Sequence, residues 1–163
     1  MITPGPLDHA EAVRYLGDAR VEMNDAMEQL LADCEEQVLS VAEPIFLYKV
    51  LDLPCEKLMA GEDIAMHLEG CTKAVLFCAT LGTGIDRMLR VEQVKDMSRA
   101  VVLDALASVA IEQVCRQFDT FLADKFPDLF QTFRFSPGYG DYPIDLQKVF
   151  LTELDAPKKI GLT

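Results

Sequence analysis

The sequence is poor in basic residues and lacks long apolar runs. Its 163 residues contain 15 lysines and arginines against 27 aspartates and glutamates, which gives a net charge of −12. Because sequence-independent binding to nucleic acid depends on lysine and arginine displacing counterions from phosphates, this balance argues against a DNA or RNA partner. No apolar run approaches the ~20 residues of a membrane-spanning helix, and the N-terminus has no basic region followed by an apolar stretch. The sequence therefore predicts a cytoplasmic protein that does not enter membranes.

Metal ligands are also scarce. Only two histidines are present, His9 and His67, and no two of the five cysteines form a C-x-x-C pair. Metal sites usually need clustered ligands, so we predict that the chain binds no metal. The thiols are expected to be reduced and to pack as small apolar side chains. These cysteines are Cys34, Cys55, Cys71, Cys78 and Cys115.

Apolar material, in contrast, is plentiful. With 50% hydrophobic and 26% charged residues, the chain can form one core and carries no signature of disorder. Helices are predicted at residues 9–16, 21–42, 64–68, 85–91, 99–125 and 145–154, and strands at 45–53, 73–81 and 132–136. This order predicts an α+β fold, a single domain spanning residues 1–163 in which helices pack on a small sheet. About the first 40 residues form a helical N-terminal region.

Two of these elements are expected to lie in the core. Residues 73–81 are almost continuously apolar, which predicts a central strand covered on both faces. Residues 99–125 contain no proline or glycine and are apolar around most of the helix circumference. Such a helix must be largely buried, and Asp96 or Ser98 is predicted to cap it.

Residues 82–84, Gly-Thr-Gly, follow the predicted central strand and open a helix. Glycines permit close backbone approach and a helix N-terminus favours an anion, as in phosphate-binding turns. The dinucleotide fingerprint is incomplete, because Arg87 stands where a third glycine would be and no acidic residue ends a strand about twenty residues on. The segment is either a nucleotide or anion site or an ordinary tight turn.

Residues 134–143, RFSPGYGDYP, form the second segment with a chemical pattern. An arginine on a strand can hold a carboxylate through two parallel hydrogen bonds, and a glycine lowers the backbone beside it. Tyr139 and Tyr142 offer aromatic faces, which attract a sulfonium as they attract an ammonium. The residue types suit an amino-acid-like ligand. The alternative is an ordered surface loop with an arginine at a strand edge.

This segment resembles the activation domain of cobalamin-dependent methionine synthase. Arg134, Gly138 and Tyr139 occupy its R-x-x-x-G-Y signature, and residues 136–141 (SPGYGD) resemble the short stand-alone members of the family. Residues 74–87 and 102–112 resemble the same proteins in order and spacing. The resemblance covers about residues 40–163, and it implies helices packed against a twisted, mostly antiparallel sheet.

The resemblance also implies a function. Proteins of this family bind S-adenosylmethionine and present its methyl group to a cobalamin held by another module, so that oxidised cofactor is reduced and remethylated. A flavodoxin-type protein or another donor supplies the electron. Because neither histidine lies in the D-x-H-x-x-G setting of cobalamin-binding modules, the corrinoid would belong to a separate methyltransferase protein.

The family motif assigns roles to particular residues. Arg134 would hold the methionine carboxylate, Gly138 would permit close approach of the ligand, and Tyr139 would lie near the sulfonium. Ser136 and Pro137 complete the cofactor-binding segment, and no residue is assigned as catalytic. An acidic residue is also expected for the ligand's ammonium, and Asp141 is a candidate by position alone.

Two departures from the family limit the transfer, one at each end of the chain. About the first 40 residues give no clear match to the full-length enzyme, so a ligand contact from that region cannot be placed. Relatives continue beyond residues 159–163 with a strand-rich segment, so either the chain is truncated or its sheet is incomplete, with an edge that charge, a partner or a homodimer would cover. An acidic electron donor would be repelled unless basic residues form a local patch. The candidates for the patch are Arg87, Arg90, Lys95 and Arg99.

The alternative function is a non-catalytic interaction or nucleotide-binding protein that keeps the fold without binding S-adenosylmethionine.

Overall fold

The computed structural model describes residues 3–17, 23–56 and 58–163, and the α+β class predicted from the sequence is confirmed within those ranges. The chain divides into two compact units: unit 1 comprises Met1–Ile45 and Ala79–Asp124, and unit 2 comprises Phe46–Cys78 and Lys125–Thr163. The elements in chain order are α1 (His9–Tyr15), α2 (Asp25–Val41), β1 (Ile45–Asp52), α3 (Glu62–His67), β2 (Lys73–Thr80), α4 (Thr83–Lys95), α5 (Met97–Lys125), α6 (Leu146–Glu153) and α7 (Ala156–Ile160).

The core of unit 1 is built around α5. Twelve of its 29 residues are buried, and Leu103 and Leu106 are fully buried in one cluster with Leu31 and Val38 of α2. The predicted core helix over residues 99–125 is therefore confirmed, because apolar side chains around most of a helix are stabilised only by burial. Although α5 is long, neither it nor any other helix in the described ranges is apolar enough along its length to cross a membrane.

Polar side chains cap three helices of unit 1, α1, α2 and α5. Asp8 and Asn24 each accept a hydrogen bond from the amide three residues further on, at 3.0 Å in both cases. Asp96 accepts from the amides two and three residues beyond it, at 3.0 and 3.2 Å, so the capping of α5 by Asp96 is confirmed. Residue 21, where the second helix is predicted to begin, lies outside the described residues. The described helix starts directly after its cap, Asn24.

The sheet in the described part of the chain has two antiparallel strands, β1 and β2. Beyond the strand ends, the amide of Leu53 still donates to the carbonyl of Thr72 at 3.0 Å. The predicted strand at residues 73–81 is present as β2, but its prediction as a central strand is wrong, because within the described ranges β1 is its only neighbouring strand. Its apolar sequence serves a second core instead, in which buried Leu76 packs with Leu154 and Ala156 near the end of the chain.

The predicted strand at residues 132–136 is also wrong, since this segment has no regular secondary structure. Its alternating pattern has another cause. The rings of Phe133 and Phe135 lie 4.5 and 5.0 Å from the ring of His67. Residues two apart in an extended chain point the same way, so the alternation reflects a shared contact with one histidine rather than one face of a sheet.

Candidate functional site

The segment that resembles the family signature forms a hydrogen-bonded turn in unit 2. The amide of Gly138 donates to the carbonyl of Tyr142 at 2.8 Å, and the amide of Tyr142 donates to the carbonyl of Tyr139 at 2.9 Å. The amide of Tyr139 donates to the carbonyl of Ser136 at 3.2 Å. Gly138 has a φ of +99°, and a Cβ at this position would lie 2.9 Å from Cδ1 of Ile144. The positive φ therefore favours glycine here, and a larger residue would also have to displace the end of the Ile144 side chain.

All five residues assigned to ligand binding lie on this one turn or directly before it. Arg134, Ser136, Gly138 and Tyr139 are exposed, and Tyr139 exposes 66% of its surface. Pro137 is buried, so it anchors the turn from inside. The turn thus offers a charged and an aromatic side chain to the solvent from a backbone that internal hydrogen bonds hold in place.

The histidine that supports this segment has no sequence signal that would have revealed its role. His67 ends α3, and its ring stacks on Phe135 and meets Phe133 edge-on. Its Nε2 also lies 3.2 Å from Oγ1 of Thr132. Because the ring of Phe135 lies 6.3 Å from that of Tyr139, one chain of aromatic contacts runs from α3 to the exposed tyrosine.

Asp141, the candidate to bind the ligand's ammonium, accepts hydrogen bonds from backbone amides at the start of α3. Its Oδ2 accepts a hydrogen bond from the amide of Glu62 at 2.6 Å, and its Oδ1 accepts from the amide of Asp63 at 3.1 Å. In return, Oδ2 of Asp63 accepts from the amide of Asp141 at 3.1 Å. Each aspartate therefore binds the backbone of the other. Asp141 belongs to the turn of residues 136–142, the ligand turn, and from there it caps α3.

Tyr142 is the buried aromatic residue of the turn. It exposes 2% of its surface, and its ring lies 5.9 Å from that of Phe135 and 6.2 Å from that of Phe150. Burial raises the pKa of Tyr142 to about 12, and the nearby thiol of Cys55 adds to the shift. The phenol therefore stays protonated at neutral pH and cannot serve as a base.

We expect Tyr142 to make the free energy of unfolding depend on pH in alkaline solution. The phenol holds its proton more tightly in the folded state, with a pKa of about 12, than at the ordinary value of 10.0. Its contribution to stability is therefore complete below about pH 10 and is lost as the pH rises towards about 12. Urea unfolding of the wild type and of Tyr142→Phe measures this. The free energy of unfolding of the wild type should fall relative to that of Tyr142→Phe over that range, and a constant difference would contradict the assignment.

The glycines of residues 82–84 are explained by packing. Gly82 precedes α4 with a φ of +85°, and a Cβ there would lie 3.1 Å from the carbonyl oxygen of Glu43. A Cβ on Gly84 would lie 2.8 Å from the carbonyl oxygen of Val41. Both glycines let the start of α4 approach the backbone at the end of α2 and just beyond it, which favours the tight-turn interpretation over a phosphate cradle.

Three of the four candidates for a basic patch lie together. Arg87, Arg90 and Lys95 line one shallow concavity of about 680 Å³ on α4. Arg99 is engaged elsewhere, since its Nη2 donates to Oε1 of Gln37 at 2.9 Å and its Nε lies 3.6 Å from Oε2 of Glu92. The concavity contains none of the residues of the ligand turn.

The five cysteines all lie within the described ranges, and none of them forms a disulfide. Burial raises the pKa of both Cys34 and Cys78, which keeps these two sulfurs protonated and unreactive at neutral pH. Within the described ranges, no group of three or more histidine, cysteine, aspartate or glutamate side chains is arranged to hold a metal ion.

Residues 134–142 of unit 2 therefore bring an exposed arginine, an exposed aromatic ring and a glycine with positive φ close to a pair of carboxylates that bind backbone amides. A scan of the sequence against models of known protein families gives no match, and a search of curated proteins gives none either.

Proposed function

We propose that the protein is an S-adenosylmethionine-binding activation module for a separate corrinoid-dependent methyltransferase, within methionine synthesis or a related methyl transfer. One observation carries the proposal: within the R-x-x-x-G-Y segment, residues 136–142 form a hydrogen-bonded turn, with Tyr139 exposed on it and Arg134 exposed just before it. A methyl group that must reach a cofactor in another protein has to be held at the surface. An enclosed ligand could not meet a cobalt atom carried by a second chain.

The exposed groups suit the amino-acid end of the ligand. The guanidinium of Arg134 can donate two parallel hydrogen bonds to a carboxylate, each contributing about 1.5–3 kcal/mol. The ring face of Tyr139 can stabilise the sulfonium by about 0.5–2 kcal/mol. Gly138 has no side chain to keep the ligand away from the backbone. Ser136 adds an exposed hydroxyl, while buried Pro137 supports the turn.

The side chains of the chain would bind and orient, and none needs to move a proton. S-adenosylmethionine would supply an electrophilic methyl group to the partner's corrinoid and leave as S-adenosylhomocysteine, once an external donor had reduced cobalt(II) to cobalt(I) by one electron. The nucleophile is the metal of the partner, so no base is required of this protein. That agrees with the protonated phenol of Tyr142. The protein would act as the S-adenosylmethionine-binding subunit of a methyltransferase system.

The second candidate is a non-catalytic interaction or nucleotide-binding protein, and the surface of α4 is the feature that favours it. Arg87, Arg90 and Lys95 line the concavity on α4 together with one carboxylate, that of Asp86, in a chain of net charge −12. Val91 and Val94 lie in the same concavity and are 45% and 88% exposed. Cations around exposed valines suit an acidic protein surface or an anionic ligand.

Calorimetric titration of the full chain separates the two candidates. We expect S-adenosylmethionine to bind with a dissociation constant below about 1 mM, and S-adenosylhomocysteine to bind more weakly because it lacks the sulfonium charge. The same titration with ATP tests the second candidate. Folded protein that gives no heat with millimolar S-adenosylmethionine, but binds ATP in a manner lost in Arg87→Ala, would reverse the order of the candidates.

A further inference from the structure

The start of helix α3 contacts the ligand turn, and the end of the helix contacts the residues just before that turn. At its start, the amides of Glu62 and Asp63 donate to Asp141, which belongs to the turn. At its end, His67 stacks on Phe135, directly after Arg134. The six-residue helix therefore braces the segment that carries the predicted ligand residues.

The contact at the start of α3 is reciprocal and closely packed. Two glycines lie beside the carboxylates, Gly61 with a φ of +143° and Gly140 with a φ of +53°. A Cβ on Gly61 would lie 2.5 Å from Oδ1 of Asp141, and a Cβ on Gly140 would overlap Oδ2 of Asp63. Each glycine thus makes room for the aspartate that comes from the other segment. Such a contact tolerates few substitutions, because each glycine and each aspartate fits only beside the residue that it meets on the other segment.

We propose that Asp63 and Asp141 are positioning residues for the ligand turn, an inference that rests on the proposed function. They do not bind the ligand. Their carboxylates bind backbone amides across a sequence separation of 78 residues and hold residues 138–142 in the ligand-ready conformation before any ligand arrives. A turn that is already ordered does not lose conformational freedom on binding, so its affinity is higher than that of a mobile turn.

The location of the pair argues that its main effect falls on the turn rather than on global stability. Asp141 is exposed and Asp63 is partly exposed, and neither belongs to the clusters of buried residues that form the two cores. Hydrogen bonds at such positions contribute little to the unfolding free energy of a whole domain, but they decide whether a surface segment is locally open or closed.

The test compares Asp63→Ala with Asp63→Asn in the full chain. Asp63 uses a single oxygen, which the carboxamide of asparagine can replace, whereas alanine removes the acceptor. Asp141→Ala removes the other half of the contact. Asp145→Ala is the matched control, because Asp145 is an exposed aspartate of the same unit whose side chain makes no capping hydrogen bond.

Three measurements are made on each variant: the affinity for S-adenosylmethionine, the hydrogen exchange of the amides of residues 62, 63 and 141, and the melting temperature. We expect both alanine variants to bind about three- to tenfold more weakly and to exchange these amides faster. Their melting temperatures should stay within a few degrees of the wild type. Asp63→Asn and Asp145→Ala should behave as the wild type in all three.

Two results would overturn the positioning role. One is wild-type affinity in alanine variants whose amides exchange rapidly. The other is a loss of affinity that accompanies global unfolding, which would make the pair a general structural contact. If the wild type itself does not bind S-adenosylmethionine, the proposed function fails, and the exchange data still show whether the aspartates order the turn.

Discussion

Arg134→Ala is expected to weaken the binding of S-adenosylmethionine by about tenfold or more, equivalent to at least about 1.4 kcal/mol. Alanine removes both hydrogen bonds to the carboxylate and leaves that charge without a partner at the protein surface. Arg134→Lys should recover only part of the loss, because an ammonium cannot match a carboxylate with two parallel donors. Isothermal titration calorimetry gives the affinities, and circular dichroism confirms that each variant is folded.

The matched control for this experiment is Arg87→Ala, which removes an exposed arginine on α4, outside the ligand turn. It should bind S-adenosylmethionine as the wild type does. Equal affinities of the wild type and Arg134→Ala would remove the central contact of the proposed function. A loss of affinity in Arg87→Ala alone would move the ligand to the concavity on α4.

Phe118→Ala is expected to lower the free energy of unfolding by about 3–5 kcal/mol. Phe118 lies on α5 and exposes none of its surface, so alanine would leave a cavity that its neighbours can fill only in part. Urea unfolding followed by circular dichroism measures the change. Phe130→Ala is the control, because the side chain of Phe130 is fully exposed, and it should change the free energy by less than about 0.5 kcal/mol. A loss below about 1 kcal/mol in Phe118→Ala would show that α5 is not the centre of a packed core.

Local signals in the sequence predicted the helical part of the fold. The absence of proline and glycine from residues 99–125, together with apolar residues on most sides, could only describe a long buried helix. Asp96 was recognisable as a cap because its partners are two and three residues away. In each case the residues that make the contact are neighbours in the chain, and the pattern contains them all.

The errors arose where the partner is distant in sequence. An alternating segment reads as a strand, but Phe133 and Phe135 share a contact with His67, which lies about 65 residues earlier. The apolar run of β2 reads as a central strand, while its burial comes from residues close to the end of the chain. Periodicity shows which side chains need covering and does not show what covers them.

In the candidate site, too, local sequence signals identified some residues, while a contact with a distant segment was missed. The R-x-x-x-G-Y spacing marked Arg134, Gly138 and Tyr139, and the positive φ of Gly138 agrees with the glycine in that pattern. The task of Asp141 could not be read from its neighbours, since the amides that it accepts from belong to residues 62 and 63. A carboxylate near a ligand motif suggests a ligand contact, and only the folded chain distinguishes that role from helix capping.

The interlocked pairs of glycine and aspartate restrict how this surface can vary. A side chain at position 140 would occupy the space of the Asp63 carboxylate, and one at position 61 would press on that of Asp141. Effects of substitution at such positions are not additive. Across related sequences, a larger residue at 140 should therefore occur only together with a shorter residue at 63, so that the two positions covary.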